Sequence, residues 1–135
     1  MARPKTDRRW KALLADAERV IRERYPDCNL DLGDVAEALG CSTRQLQRVF
    51  QEVADTDFRS FLLRVRMERA HRLLSRKQTG LTVRAAARAV GYREASGLRQ
   101  AFVRFYGYNP SEIQPEGPDY DSYWREAEAT SPKLD

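Results

Sequence analysis

Histidine occurs once in this chain, at His71, and cysteine twice, at Cys28 and Cys41. With so few ligands, no four-ligand zinc set of normal spacing and no disulfide framework can be assembled, and a reduced intracellular compartment is the default. No apolar run approaches the ~20 residues of a membrane-spanning helix, and the opening MARPKTDRRW lacks the apolar stretch of a secretory signal, which predicts a cytoplasmic protein. No segment alternates apolar and polar residues for long enough to make a strand, so no sheet is expected. Neither a metal nor another cofactor is expected.

What the chain has is arginine. The 135 residues hold 24 Lys plus Arg against 20 Asp plus Glu, a net charge of +4, and 20 of the 24 bases are Arg. Residues 1–39 are balanced at 8 bases and 8 acids, residues 40–110 hold 14 and 5, and residues 111–135 hold 2 and 7. The middle is therefore +9 and the tail −5. A basic block of this kind is the footprint of a surface that meets phosphates, because each neutralised phosphate releases counterions. The alternative is a solvated, Arg-rich helical surface.

The apolar positions are spaced for helices. Trp10, Leu13, Leu14, Ala17, Val20, Ile21 and Tyr25 form one stripe, stopped by Pro26, with Trp10 and Tyr25 expected in the core. In LDLGDVAEALG, Asp31 caps a short helix whose Val35, Ala36 and Leu39 face inward, and Gly40 ends it. In STRQLQRVFQEV, Ser42 and Gln45 form a capping box and Leu46, Val49 and Phe50 share a face. Thr56 is the expected cap of a long helix over residues 57–75, with Phe58, Phe61, Leu62, Val65, Ala70, Leu73 and Leu74 apolar. After the breaker KQTG, Thr82 caps a second short helix with Val83, Ala86, Ala87 and Val90 inward and Gly91 as terminator. A helix carrying Leu98, Ala101, Phe102 and Phe105 follows, and then NPSEI, with an Asn109–Glu112 capping box and Pro110 at the first helical position.

The pattern occurs twice. LQRVF at residues 46–50 returns as LRQAF at 98–102, and Leu32, Val35, Ala36 and Leu39 pair with Val83, Ala86, Ala87 and Val90 at a period of 51, which becomes 52 after the turn. Seven helices and no sheet are predicted, as an all-α fold of two small halves, each near the lower limit of a self-sufficient core. The expected divisions are 1–56 (first helix and first helix pair), 57–77 (linker helix), 78–114 (second pair) and 115–135 (an acidic, mobile tail).

A short helix, a Gly-containing turn and a second helix make a helix-turn-helix, whose second helix lies in the DNA major groove. With Leu46, Val49 and Phe50 inward, Thr43, Arg44, Gln47, Arg48 and Gln51 point out, and Arg and Gln are the side chains that pair bidentately with guanine and adenine. In the second unit Ala95, Ser96, Arg99, Gln100, Val103 and Arg104 point out. That face is poorer in hydrogen-bonding groups, and Gly97 costs its helix about 1 kcal/mol relative to Ala.

These residues carry a resemblance. VRAAARAVGYREASGLRQAFVRFYGYNPSEI, with VAEALGCSTRQLQRVF before it and RVRMERAHRLL between, resembles the DNA-binding domain of the AraC/XylS family of bacterial transcription regulators, from about Leu30 to Gln114. The resemblance implies two helix-turn-helix units joined by a linker helix, entering successive major-groove faces. A turn of B-DNA is ~34 Å and the linker helix ~28 Å. Carried over by position, Arg44, Gln47, Arg48, Ser96, Arg99 and Gln100 read bases, with Ala95 beside them, and Thr43, Gln51, Arg93 and Arg104 meet the backbone. Gln100 and Val103 stand where the family commonly has basic residues, and DTDF replaces a Gly-containing turn, so the first unit is expected to supply most of the discrimination. The resemblance further implies a stand-alone monomer without cofactor on an asymmetric site of ~20 base pairs, an activator contacting RNA polymerase.

Three rival functions fit parts of the chain. Tyr120, Tyr123 and Trp124 in the acidic tail would suit an adaptor for RNA polymerase, and the Arg excess alone would suit a nonspecific DNA binder. A DNA-repair methyl acceptor would need a reactive thiol, and neither Cys28 nor Cys41 has an adjacent base in sequence to activate it. His71 is assigned to packing, and the protein is not expected to be an enzyme.

Overall fold

The computed structural model describes residues 4–76 and 81–113, and the regular structure among these residues is helical, with no strand. Among the described residues, six α-helices run in the order α1 (Pro4–Arg24), α2 (Leu32–Leu39), α3 (Thr43–Ala54), α4 (Phe58–Ser75), α5 (Val83–Ala89) and α6 (Ala95–Tyr106), followed by a 3-10 turn, Pro110–Glu112. The chain divides into two compact units, Met1–Arg66 and Met67–Asp135, so the boundary falls within α4. The expected tail at 115–135, its aromatics and the KQTG breaker lie outside the described residues.

In the first unit α1 packs on α2 and α3. Ala17, Ile21, Val35, Leu46, Val49 and Phe50 are wholly buried. Phe58, Phe61, Leu62 and Val65 from the first half of α4 complete this core, with the Phe50 and Phe61 rings 6.1 Å apart. Asp31 caps α2 by accepting from the Asp34 N–H at 2.8 Å, and Asp34 returns the bond to the Asp31 N–H at 3.1 Å. Gly40, at φ 70°, ends α2 in the left-handed conformation that side chains disfavour.

Two expected caps differ in detail. Ser42 accepts from the Gln45 N–H at 3.0 Å, but the reciprocal half of the capping box is not formed. The start of α4 is capped by Asp57, not Thr56, since Asp57 Oδ1 accepts from the Ser60 N–H at 2.7 Å. The reason lies in the end of α3: Asp55 takes the left-handed conformation, φ 53°, and the N–H groups of Asp55 and Thr56 close back on Gln51 and Phe50. Thr56 is thereby consumed as the terminator of one helix and the next begins one residue later. Asp55 does here what glycine does at Gly40 and Gly107, which have φ of 70° and 86°.

Arg66 was not anticipated as a structural residue. Only 9% exposed, it donates through Nε to the Tyr25 carbonyl at 3.0 Å and through Nη2 to the Asp27 carbonyl at 2.8 Å. The segment that follows α1 has left its helical hydrogen bonds, and a guanidinium supplies donors to its carbonyls.

In the second unit Met67, Ala70, Ala86, Ala87, Val90, Leu98 and Phe102 are wholly buried. Thr82 caps α5 by accepting from the Ala85 N–H at 3.0 Å, and Gly91 follows the helix at φ 104°. The duplication extends to the backbone: the Cys41 N–H donates to the Ala36 carbonyl at 3.0 Å, and 51 residues later the Tyr92 N–H donates to Ala87 at 2.8 Å. Asn109 and Glu112 form their capping box with Pro110 at the first position, but around one 3-10 turn only. Phe105, on α6, is 38% exposed. Tyr106 takes the inner place one turn beyond Phe102, packing against Phe102 at 4.6 Å and His71 at 5.2 Å, which turns Phe105 outward. His71 is a packing residue, stacked on Phe102 and within 3.0 Å of the Tyr108 hydroxyl through Nε2.

Two outcomes follow. Arg66→Ala removes two charge-assisted hydrogen bonds and is expected to cost about 2 to 4 kcal/mol in a urea unfolding titration. The bonds from Ser60 hold the Asp57 carboxyl below its ordinary range, so its contribution is complete above the unfolded value and is lost as pH falls through the folded one. Asp57→Ala is expected to cost about 0.5 to 1 kcal/mol near neutrality, this being an exposed cap, and the gap in melting temperature from the parent closes as pH falls below about 4.

Candidate nucleic-acid interface

The outer face of α3 is fixed by what lies beneath it. Leu46 and Phe50, one turn apart, are wholly buried with Val49 between them, and this leaves Thr43, Arg44, Gln47, Arg48 and Gln51 exposed. In α6 Leu98 and Phe102 play the same part, and Ser96, Arg99, Gln100, Val103 and Arg104 are exposed, with Ala95 half-buried. Arg93 is exposed in the turn ahead of α6. Every predicted base-reading and backbone residue of each unit thus stands on the outside of that unit's second helix or at its start.

The two faces correspond residue by residue at the 52-residue offset: Arg44 with Ser96, Gln47 with Arg99, Arg48 with Gln100, Gln51 with Val103, Glu52 with Arg104. Arg and Gln exchange places at the two central positions. A carboxylate in the first unit is replaced by a base in the second, and Val103 is 44% exposed where the first unit has an amide. The starts of the two helices differ as well. Ser42 caps α3, whereas Glu94, at the same place before α6, makes no side-chain cap bond. Gly97, unfavourable by helix propensity, gives room to Tyr92: a Cβ there would lie 3.3 Å from Tyr92 Cδ1.

Two partners of the α3 face were not foreseen. Trp10 was expected in the core and is half-buried, with the Arg48 guanidinium carbon 5.8 Å from its ring centroid. Arg48 Nη2 also lies 3.7 Å from Glu52 Oε2, an i,i+4 pair that the sequence does carry. The contact with Trp10 crosses from α1 to α3 and has no signal in either segment alone.

Burial pushes the Cys41 thiol up, away from the thiolate that nucleophilic chemistry needs, and Cys28 is exposed in the loop after α1. No helix among the described residues is long and apolar enough to cross a membrane.

A family model for a helix-turn-helix domain matches residues 35–115, from within α2 through the second helix pair. The chain belongs to the AraC-type helix-turn-helix family. Among AraC-type relatives, the transcriptional activator NphR of Rhodococcus sp is 30% identical over 103 residues, which is 76% of this chain and 30% of that protein. The C-terminal domain of AraT, a response regulator from Geobacillus stearothermophilus, superposes with a TM-score of 0.71 at 28% identity, covering 76% of this chain and 83% of that one. The DNA-binding domain of AdpA, solved with a target DNA, shares the fold with a TM-score of 0.65 at 23% identity, covering 87% of this chain and 97% of that one. The chain spans about a third of the length of the curated relatives that it matches.

Proposed function

We propose that this chain is a sequence-specific regulator of transcription that inserts α3 and α6 into successive major-groove faces of one duplex. One observation carries it: two exposed Arg- and Gln-bearing faces, equivalent position by position, each standing on a buried Leu–Phe pair. Arg44, Gln47 and Arg48 read bases from α3, and Ser96, Arg99 and Gln100 from α6. Thr43, Gln51, Arg93 and Arg104 meet phosphates. The first unit carries most of the discrimination, since its face is richer in bidentate side chains, while Val103 offers the second only an apolar contact of the kind a thymine methyl accepts.

The binding of AdpA's domain to its target DNA and the description of NphR as an activator support this reading for a chain of the same family. We extend it to an activator that works in the cytoplasm, binds an asymmetric site as a monomer without a cofactor, and contacts RNA polymerase. The +9 charge of residues 40–110 fits a phosphate-facing surface and would equally serve a nonspecific binder, so discrimination between sequences is the property to measure.

Arg48→Ala is expected to cost about 1 to 3 kcal/mol on the preferred duplex and to relax preference at one or two base pairs. Arg104→Ala is expected to weaken all duplexes alike and to reduce the slope of log affinity against log salt by about 1. Titrations of both variants on preferred and scrambled duplexes at several salt concentrations check this. An Arg48→Ala protein with unchanged affinity and preference contradicts the docking of α3.

A further inference from the structure

We propose that Trp10 is a positioning residue for base reading: its indole face, together with the Glu52 carboxylate, holds the Arg48 guanidinium ready to meet a base edge. This rests on the proposal that α3 enters the major groove and adds to it a residue from α1, outside the helix-turn-helix.

Trp10 sits on a firmly held helix. It continues the apolar stripe of α1, in which Leu13 and Leu14 pack against the core and Ala17 and Ile21 are wholly buried. These contacts hold the helix backbone that carries the half-buried Trp10 ring. The Arg48 guanidinium carbon lies 5.8 Å from the ring centroid, inside the ~6 Å range of a cation–π contact. Glu52, one turn further along α3, approaches Arg48 Nη2 at 3.7 Å. The two restraints come from different elements, one from a neighbouring helix and one along α3 itself.

Their chemistry is compatible with base reading. An aromatic ring engages the face of a guanidinium and leaves in-plane N–H donors free for a base edge. The Arg48 side chain keeps 63% of its exposure in this arrangement, so it is held but not hidden. An unrestrained Arg loses much rotamer freedom on binding, and a preformed orientation lowers that cost. In the second unit the positions of Arg48 and Glu52 are occupied by Gln100 and Arg104, which cannot form this arrangement.

The test is a double-mutant cycle on the full chain. Trp10→Leu, Trp10→Phe, Arg48→Ala and the Trp10→Leu/Arg48→Ala double variant are titrated on the preferred duplex. A second duplex, changed at the base pair whose preference Arg48→Ala abolishes, is titrated in parallel, and melting temperatures are recorded. Trp10→Leu is expected to weaken the preferred duplex about 2- to 5-fold, to leave the changed duplex unaffected, and to add nothing in the Arg48→Ala background. Trp10→Phe, with a weaker ring, is expected to fall between, and it decides the matter by the same comparison if Trp10→Leu fails to fold.

Equal losses on both duplexes, or the same loss with and without Arg48, would make Trp10 a phosphate contact or a packing residue and overturn the proposal. No loss at all overturns it too. If Arg48→Ala itself changes nothing, the docking of α3 falls and this inference with it, whereas an effective Arg48→Ala beside a uniform Trp10→Leu condemns the Trp10 role alone.

Discussion

Two apolar side chains one helical turn apart, buried beneath each second helix, decide what this protein shows to its surroundings. Leu46 with Phe50, and Leu98 with Phe102, have no accessible surface. Because an α-helix turns by a fixed angle per residue, burying these positions determines which residues of α3 and α6 face outward. Moving an anchor by one residue would rotate Arg48 or Arg99 toward the core, where an uncompensated charge is costly. The same constraint explains the duplication, since a second face of the same kind needs the same pair beneath it.

The remaining elements keep those anchors in place. Caps at Asp31, Ser42, Asp57 and Thr82 set where helices begin, and residues in the left-handed conformation, Gly40 and Asp55 among them, set where they stop. Arg66 ties the first half of α4 to the segment after α1 through two backbone carbonyls. In the aromatic cluster of the second unit, the sole histidine, His71, packs against Phe102, Tyr106 and Tyr108.

Most of this was legible in the sequence because it is local. The helices, the period of 51 then 52, and the outward positions of Arg44, Gln47, Arg48, Arg99 and Gln100 follow from apolar spacing and capping residues. What escaped depends on competition or on distance along the chain. Thr56 against Asp57 was decided by how α3 ends. Burial of Arg66 needs the carbonyls of Tyr25 and Asp27, and the neighbourhood of Arg48 needs Trp10 from another helix. No pattern within a single segment contains such pairings.

In the proposed function, the two outer faces are two reading heads for one asymmetric site. Selection of bound duplexes from random double-stranded DNA, with the winners re-titrated across salt, tests it most directly. The expected result is one asymmetric motif with two blocks of information about one helical turn, ~10 base pairs, apart, the block read by the first unit being the sharper. A single block, or no enrichment together with steeply salt-dependent binding to every duplex, would contradict it.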